Sequence, residues 1–180
     1  MTMRIEAIKD TIPDYAKDIR LNLGSIVGDT SVTDQQKWGA LVSAAHAAGN
    51  HALMSAVFED AKEHLSAEAF AAAQSAAAIM AMNNVYYRAV HLLSSKDYQT
   101  LPAKLRMNII ANPGVDKLDF ELWSIAVSAI NGCGMCLDSH EAVVRKAGAT
   151  TTQVQTMLRI AAIIAAAAAV LNAEERGAAA

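Results

Sequence analysis

The residues best suited to chemistry lie in one short stretch, Cys133-Gly134-Met135-Cys136-Leu137-Asp138-Ser139-His140, which holds both cysteines of the 180-residue chain. Asn131-Gly132-Cys133-Gly134 reads as a break between two helices, with the second beginning at or just after Cys133. Helical residues three apart share a face, and a residue four positions on stacks one turn later. Cys133, Cys136 and His140 are therefore expected to converge. A cysteine at a helix N-terminus meets unpaired N–H groups and the positive end of the dipole, which favour thiolate. An imidazole one turn away can take or return the proton, and thiolate is the nucleophile. Helical i,i+3 Cβ atoms lie about 5–6 Å apart, whereas a relaxed disulfide places them near ~3.8 Å. Closing the bond should tighten the first turn and leave it easily reduced, and Gly132 and Gly134 would ease that adjustment. These features suit a catalytic disulfide better than a structural one. Two blander readings stay open: both cysteines as small buried hydrophobes, or a zinc site made by Cys133, Cys136, His140 and Glu121.

Glu121 enters through the helix expected over 116–131. That helix is apolar nearly all round (Leu118, Phe120, Leu122, Trp123, Ile125, Val127, Ile130), so it should be buried. Glu121 shares a face with Ser124 and Ser128, a polar stripe leading toward Asn131 and the cysteines. A buried carboxylate needs a partner. His140 is one candidate, which would fix the imidazole tautomer and pass a proton toward a cysteine. The alternative is an exposed first turn, or a pair with Arg or Lys.

The elements that must position these residues are helical throughout. Apolar residues spaced three and four apart predict helices at about 15–26, 33–48, 51–63, 66–94, 101–109, 116–131, 135–147 and 151–175. Thr33, Ser66 and Thr150 or Thr151 are expected N-caps, Asn112-Pro113-Gly114 a turn, and Gly148 a C-terminal cap. No alternating β-branched pattern lasts long enough for a strand. Hydrophobic residues make up 53% of the chain but aromatics only 5%, with alanine supplying much of the apolar count. Small side chains let helices approach closely. The expectation is an all-α, single-domain protein over 1–180, a compact fold of about eight helices.

The chain also appears twice in itself. Trp38, Val42, Ser43 and Ala44 match Trp123, Val127, Ser128 and Ala129 at a shift of 85. We expect two pseudo-repeated halves at approximately 15–94 and 101–175. The halves differ at the chemistry, because Ala48, His51 and Ser55 stand opposite Cys133, Cys136 and His140.

Other signals exclude or add little. A net charge of −3 argues against a nucleic-acid partner. The most apolar stretch, 160–171, is short of the ~18–20 residues that span a bilayer, and the N-terminus lacks the form of a signal peptide. A cytoplasmic protein with no membrane association is expected. His46, His51, His64 and His91 have no partner at metal spacing. Met80 reads as core, and Asn83 and Asn84 are unusual inside a long apolar helix, where they could satisfy polar groups near the site.

The chain resembles the alkyl hydroperoxidase D family of the carboxymuconolactone decarboxylase-like superfamily, over nearly its whole length. The resemblance is carried by the segments 14–23 (DYAKDIRLNL), 78–85 (AIMAMNNV), 105–114 (LRMNIIANPG), and 120–123 (FELW) running into 126–133 (AVSAINGC). It implies an all-helical subunit with two related halves, assembled as a homotrimer. It implies hydroperoxide reduction through the cysteine pair, with no bound cofactor and with dihydrolipoamide or a protein-bound lipoyl group as reducing co-substrate. It implies three protein partners: the peroxiredoxin alkyl hydroperoxide reductase C, which is re-reduced, a lipoylated acyltransferase and dihydrolipoamide dehydrogenase. Cys136 matches the family's sulfenic-acid cysteine, Cys133 the more exposed cysteine that supplies a proton and resolves the disulfide, and Glu121 and His140 the proton relay. Met135 departs, standing where the family carries histidine. Either that histidine is dispensable beside Glu121 and His140, or this chain is a weaker peroxidase that acts mainly as a disulfide reductant. A decarboxylase of the wider superfamily ranks last, since no cationic cluster for a dicarboxylate accompanies the motif.

Overall fold

Several helices start at side-chain caps. The computed structural model describes residues 4–178 and is all-helical, with no strand among them. In chain order the helices are α1 (Arg4–Asp10), α2 (Lys17–Val27, after a 3-10 turn over Asp14–Ala16), α3 (Asp34–Ala48), α4 (His51–Ala61), α5 (Ala67–Leu92), α6 (Asp97–Thr100), α7 (Asn108–Ala111), α8 (Lys117–Ile130), α9 (Gly134–Lys146) and α10 (Thr151–Ala178). Thr33 caps α3 in a reciprocal box with Gln36. Ser66 accepts from the Ala69 N–H at the start of α5, and Thr150 from the Gln153 N–H at the start of α10. Adding 85 to the bounds of α3, α4 and α5 gives 119–133, 136–146 and 152–177, close to those of α8, α9 and α10.

One expectation about the helices is corrected. The helix expected over 101–109 is confined to Asn108–Ala111. Pro102 holds Leu101 in an extended conformation (φ −82°, ψ 139°), and Lys104 sits in the left-handed region at φ 54°, so no helical run can pass through. Among the described residues the helices number ten, in line with an all-helical fold of about eight. The additions are short, and α1 depends on a distant cap. The Asp60 carboxylate accepts from the N–H groups of Arg4 and Ile5, 56 and 55 residues away in sequence.

α3 and α8 form the centre. They pack on each other, both touch α5 and α10, and α4 and α9 cover their outer ends. Their crossing is very close. A Cβ at Gly39 would fall 2.1 Å from the Trp123 ring, so only glycine admits the indole there. The Trp123 Nε1–H donates to the Gln36 carbonyl at 3.1 Å. Nearby, the buried Asp119 carboxylate accepts from Gln35 Nε2 at 2.7 Å and Gln36 Nε2 at 2.9 Å, which pins α8 to α3.

The apolar stretch 160–171 is part of the longer helix α10, and by length and composition Thr151–Gly177 could cross a membrane. It instead lays Met157, Ile160, Ile164, Ala168 and Leu171 into the core against α2, α3 and α8.

Candidate active site

The turn between α8 and α9 is set by Gly132, whose φ of 65° is left-handed. The Cys133 N–H reaches back to the Ser128 carbonyl at 3.1 Å, the long bond of a Schellman ending. α5 braces this turn from the side. Asn84 Nδ2 donates to Ser128 Oγ, Asn131 Nδ2 donates to Asn84 Oδ1, both at 3.0 Å, and Arg88 donates to the Asn131 carbonyl. The polar role expected for Asn84 is thus observed. Ser124 differs from expectation: its hydroxyl donates to the Phe120 carbonyl of its own helix and does not extend the stripe toward the cysteines.

Cys133 is the N-cap of α9 at φ −94° and ψ 91°, and its sulfur accepts from the Cys136 N–H at 3.3 Å. It therefore lies outside the helical spiral. The two cysteines are a cap and a first-turn residue, not an i,i+3 pair on one helix face, and the tightening of the first turn expected from helical geometry is not required. They are joined as a disulfide with Cα atoms 5.3 Å apart. Of the flanking glycines only Gly132 uses its conformational freedom, since Gly134 is not among the positive-φ residues. The exposure implied by resemblance is reversed in this form. Cys133 is completely covered, and Cys136, 6% exposed, is the one that faces a cavity.

Glu121 does not sit at an exposed turn or pair with Lys or Arg. Its Oε2 lies 2.5 Å from His140 Nδ1, and both side chains are buried. With the carboxylate as acceptor, Nδ1 carries the hydrogen, which fixes the tautomer. Nε2 faces the Met80 sulfur at 3.2 Å. With Nδ1 protonated, Nε2 carries a lone pair, and the thioether has no hydrogen to give it, so Nε2 remains able to accept a proton.

Cys136, Glu121, His140, Met135, Met80 and Asn83 all line one cavity of about 480 Å³. Tyr87, Met107, Ile110 and Val143 make the rest of its wall largely apolar, with Lys117 and Ser139 toward solvent. That size and lining suit a small organic molecule. Sequence reasoning missed Tyr87, Met107 and Lys117 as wall residues, and read Met80 as core alone. Met80 is core by spacing and burial, yet its sulfur meets a histidine 60 positions away, which only the packing of α5 on α9 brings about. The remaining histidines stand apart: His64 stacks on Trp38, and His46 lines a separate cavity with Arg88 and Asn131.

The zinc reading finds no support in this arrangement. The two sulfurs are bonded to each other and His140 Nδ1 is engaged by Glu121. Among the described residues no group of three or more His, Cys, Asp or Glu is placed to hold a metal. What the arrangement can do is dithiol–disulfide exchange at a cavity wall, with a buried acid–base pair alongside.

The chain is similar to known proteins along nearly its whole length. The carboxymuconolactone decarboxylase family model matches residues 96–176. The chain is 61% identical to the alkyl hydroperoxide reductase AhpD of Maricaulis maris over 172 residues, 96% of this chain and 99% of the relative. It is 58% identical to the protein of the same name from Hyphomonas neptunium, over 96% of each chain. The Streptomyces coelicolor protein of that name is 55% identical over 96% of this chain and 97% of its own.

Proposed function

We propose, from the premise that the chain belongs to the AhpD family of alkyl hydroperoxide reductases, that it is an antioxidant thiol peroxidase working through Cys133 and Cys136 with lipoyl groups as reductant. The observation that carries this reading is the shared cavity, where Cys136 stands beside the buried Glu121–His140 pair.

In the dithiol form, His140 takes the Cys136 proton at Nε2, and Glu121 stabilises the resulting imidazolium through Nδ1–H. The thiolate attacks the terminal peroxide oxygen. The O–O bond breaks, the leaving alkoxide takes the proton from His140, and Cys136 becomes a sulfenic acid. The Cys133 thiol then displaces water to give the Cys133–Cys136 disulfide. A dihydrolipoyl group reduces that disulfide by two successive thiol exchanges and leaves as lipoyl disulfide. In the cavity the apolar wall accepts the alkyl portion of the peroxide.

The same dithiol re-reduces a partner peroxiredoxin of the alkyl hydroperoxide reductase C type, and electrons arrive from dihydrolipoamide dehydrogenase through a lipoylated acyltransferase. The working unit is a cytoplasmic homotrimer. Exposed Val85, Leu92, Leu93 and Leu101, on and just beyond α5, support a subunit contact.

The test is peroxide consumption by the purified protein with dihydrolipoamide, run beside Cys136→Ser. The expected result is turnover in the first and its loss in the second. Full turnover by Cys136→Ser would sink the assignment. Mass spectrometry after one equivalent of peroxide, with a thiol trap, should place the sulfenic acid on Cys136 and then show the disulfide.

A further inference from the structure

The two sulfurs of the disulfide differ in what can reach them. Cys133 is completely covered, and its sulfur lies against the start of α9, where it accepts from the Cys136 N–H at 3.3 Å. Cys136 is 6% exposed and lines the cavity that also holds His140 and Glu121, and Cys133 is not among the residues of that wall. A disulfide is reduced when a thiolate strikes one sulfur and the other departs with the bonding pair. Access decides which sulfur is struck, and the better-stabilised thiolate leaves faster. Here the two criteria agree. Cys136 is the sulfur with an approach, and a negative charge arriving on Cys133 meets an N–H and the positive end of the α9 dipole.

We propose that the reducing thiolate enters this cavity and strikes Cys136, so that the mixed-disulfide intermediate is carried on Cys136 and Cys133 is the leaving thiolate. This rests on the peroxidase reading above and deepens it, by giving each sulfur its role in the reductive half of the cycle. His140, on the same wall, takes the proton of the first lipoyl thiol. The new S–S bond forms to Cys136 as the Cys133–Cys136 bond breaks. Cys133 takes the electron pair and then that proton. The second lipoyl thiol attacks the lipoyl sulfur already bound, closes the lipoyl disulfide and expels Cys136, which takes the second proton. Two electrons and two hydrogens pass from the dihydrolipoyl group to the cysteine pair. Run backwards, the same path makes the Cys136 thiolate the group that attacks a partner's disulfide. Cys136 therefore meets every external reactant, and Cys133 exchanges with Cys136 alone.

The experiment replaces the dithiol by a monothiol, which cannot close a ring and so leaves its mark. Oxidised wild type is mixed with N-acetylcysteamine and quenched at a series of early times with N-ethylmaleimide in acidic denaturant. Tandem mass spectrometry then reads which cysteine carries the cysteamine adduct and which the maleimide. The expected result, extrapolated to zero time, is adduct on Cys136 with maleimide on Cys133, in about tenfold or greater excess over the reverse pattern. Adduct first on Cys133, or divided equally between the two, overturns the proposal. So does the absence of any adduct on the folded protein when the denatured protein is readily reduced, because Cys136 then has no approach. Dihydrolipoamide is run in parallel. If it leaves the disulfide intact while the monothiol marks Cys136, the lipoyl reading fails and the assignment of the two sulfurs stands.

Discussion

Glu121 Oε2 and His140 Nδ1 meet 2.5 Å apart, the carboxylate from α8 and the imidazole from α9, both enclosed by the core. Glu121→Gln keeps the shape and can still accept the Nδ1–H, but it removes the charge that stabilises an imidazolium. Peroxide reduction should fall roughly 10- to 100-fold, within the range of a lost acid–base contribution. The far-ultraviolet circular dichroism should be unchanged. Activity within twofold of wild type in stopped-flow peroxide kinetics would remove the pair from the mechanism.

Met135 stands between the cysteines and lines the same cavity. A thioether neither carries a proton nor donates a hydrogen bond, so any proton handling belongs to His140 and Glu121. Met135→His should accordingly change the peroxidase rate by less than about tenfold, since a positioned acid–base group is already present. A larger gain in a coupled peroxide assay would show that the relay is incomplete in this chain.

Gly132 and Gly134 flank Cys133 but make different demands. Gly132→Ala forces a Cβ into the left-handed region, at about 1–2 kcal/mol, and for a chain of this length that lowers Tm by roughly 2–8 °C. It also disturbs the turn that seats Cys133, so disulfide formation after peroxide addition should slow. Gly134→Ala meets no neighbouring atom within 4 Å and should leave Tm level or raise it. Equal Tm changes for the two variants in thermal melts would contradict this account of the turn.

Much of this was legible in the sequence because it is local. The caps at Thr33, Ser66 and Thr150, the break at Gly132 and the burial of α8 are each decided within a few residues, by hydrogen-bonding groups and apolar period. The choice between two environments for Glu121 needed the packing of α9 on α8. The cap of α1 needed Asp60, and the partner of His140 Nε2 needed Met80, neither of which announces itself locally. Periodicity also failed over 101–107, where Pro102 and the positive φ of Lys104 interrupt a stretch that reads as helical by composition. The sequence sets the start of α9 at or just after Cys133 but leaves open which, because spacing does not distinguish a cap from a first turn. Its sulfur doing the capping is a matter of backbone angles.

Stability should carry an acid-side signature from Asp29. Ser31, through its hydroxyl and its N–H, and then Arg159 on α10 at 2.9 Å, hold the Asp29 carboxyl below its ordinary value. A carboxyl lowered in the folded state contributes stability that is complete above the unfolded-state value and is lost as pH falls through the folded one. Asp29→Asn should therefore destabilise the fold at neutral pH by no more than about 1 kcal/mol, since Arg159 is half exposed, and lower Tm accordingly. Wild type and variant should converge as the pH drops below the usual carboxylate range. A difference in Tm that persists unchanged to strongly acidic pH would show that Asp29 acts through packing instead.

The hydrogen bonds of Asn84 have a consequence for how α5 settles on α8. The contact face of α5 is built mostly from alanine, including Ala69, Ala72, Ala73, Ala76 and Ala77. Such a face is nearly featureless, and a neighbour could slide along it by a turn with little change in contact. Asn84 abolishes that degeneracy, because its amide is satisfied at Ser128 and Asn131 in one alignment only. A single side chain thus works as the key that indexes two smooth surfaces against each other. The alignment it selects is the one that brings Met80 and Asn83 opposite the histidine and the thiol.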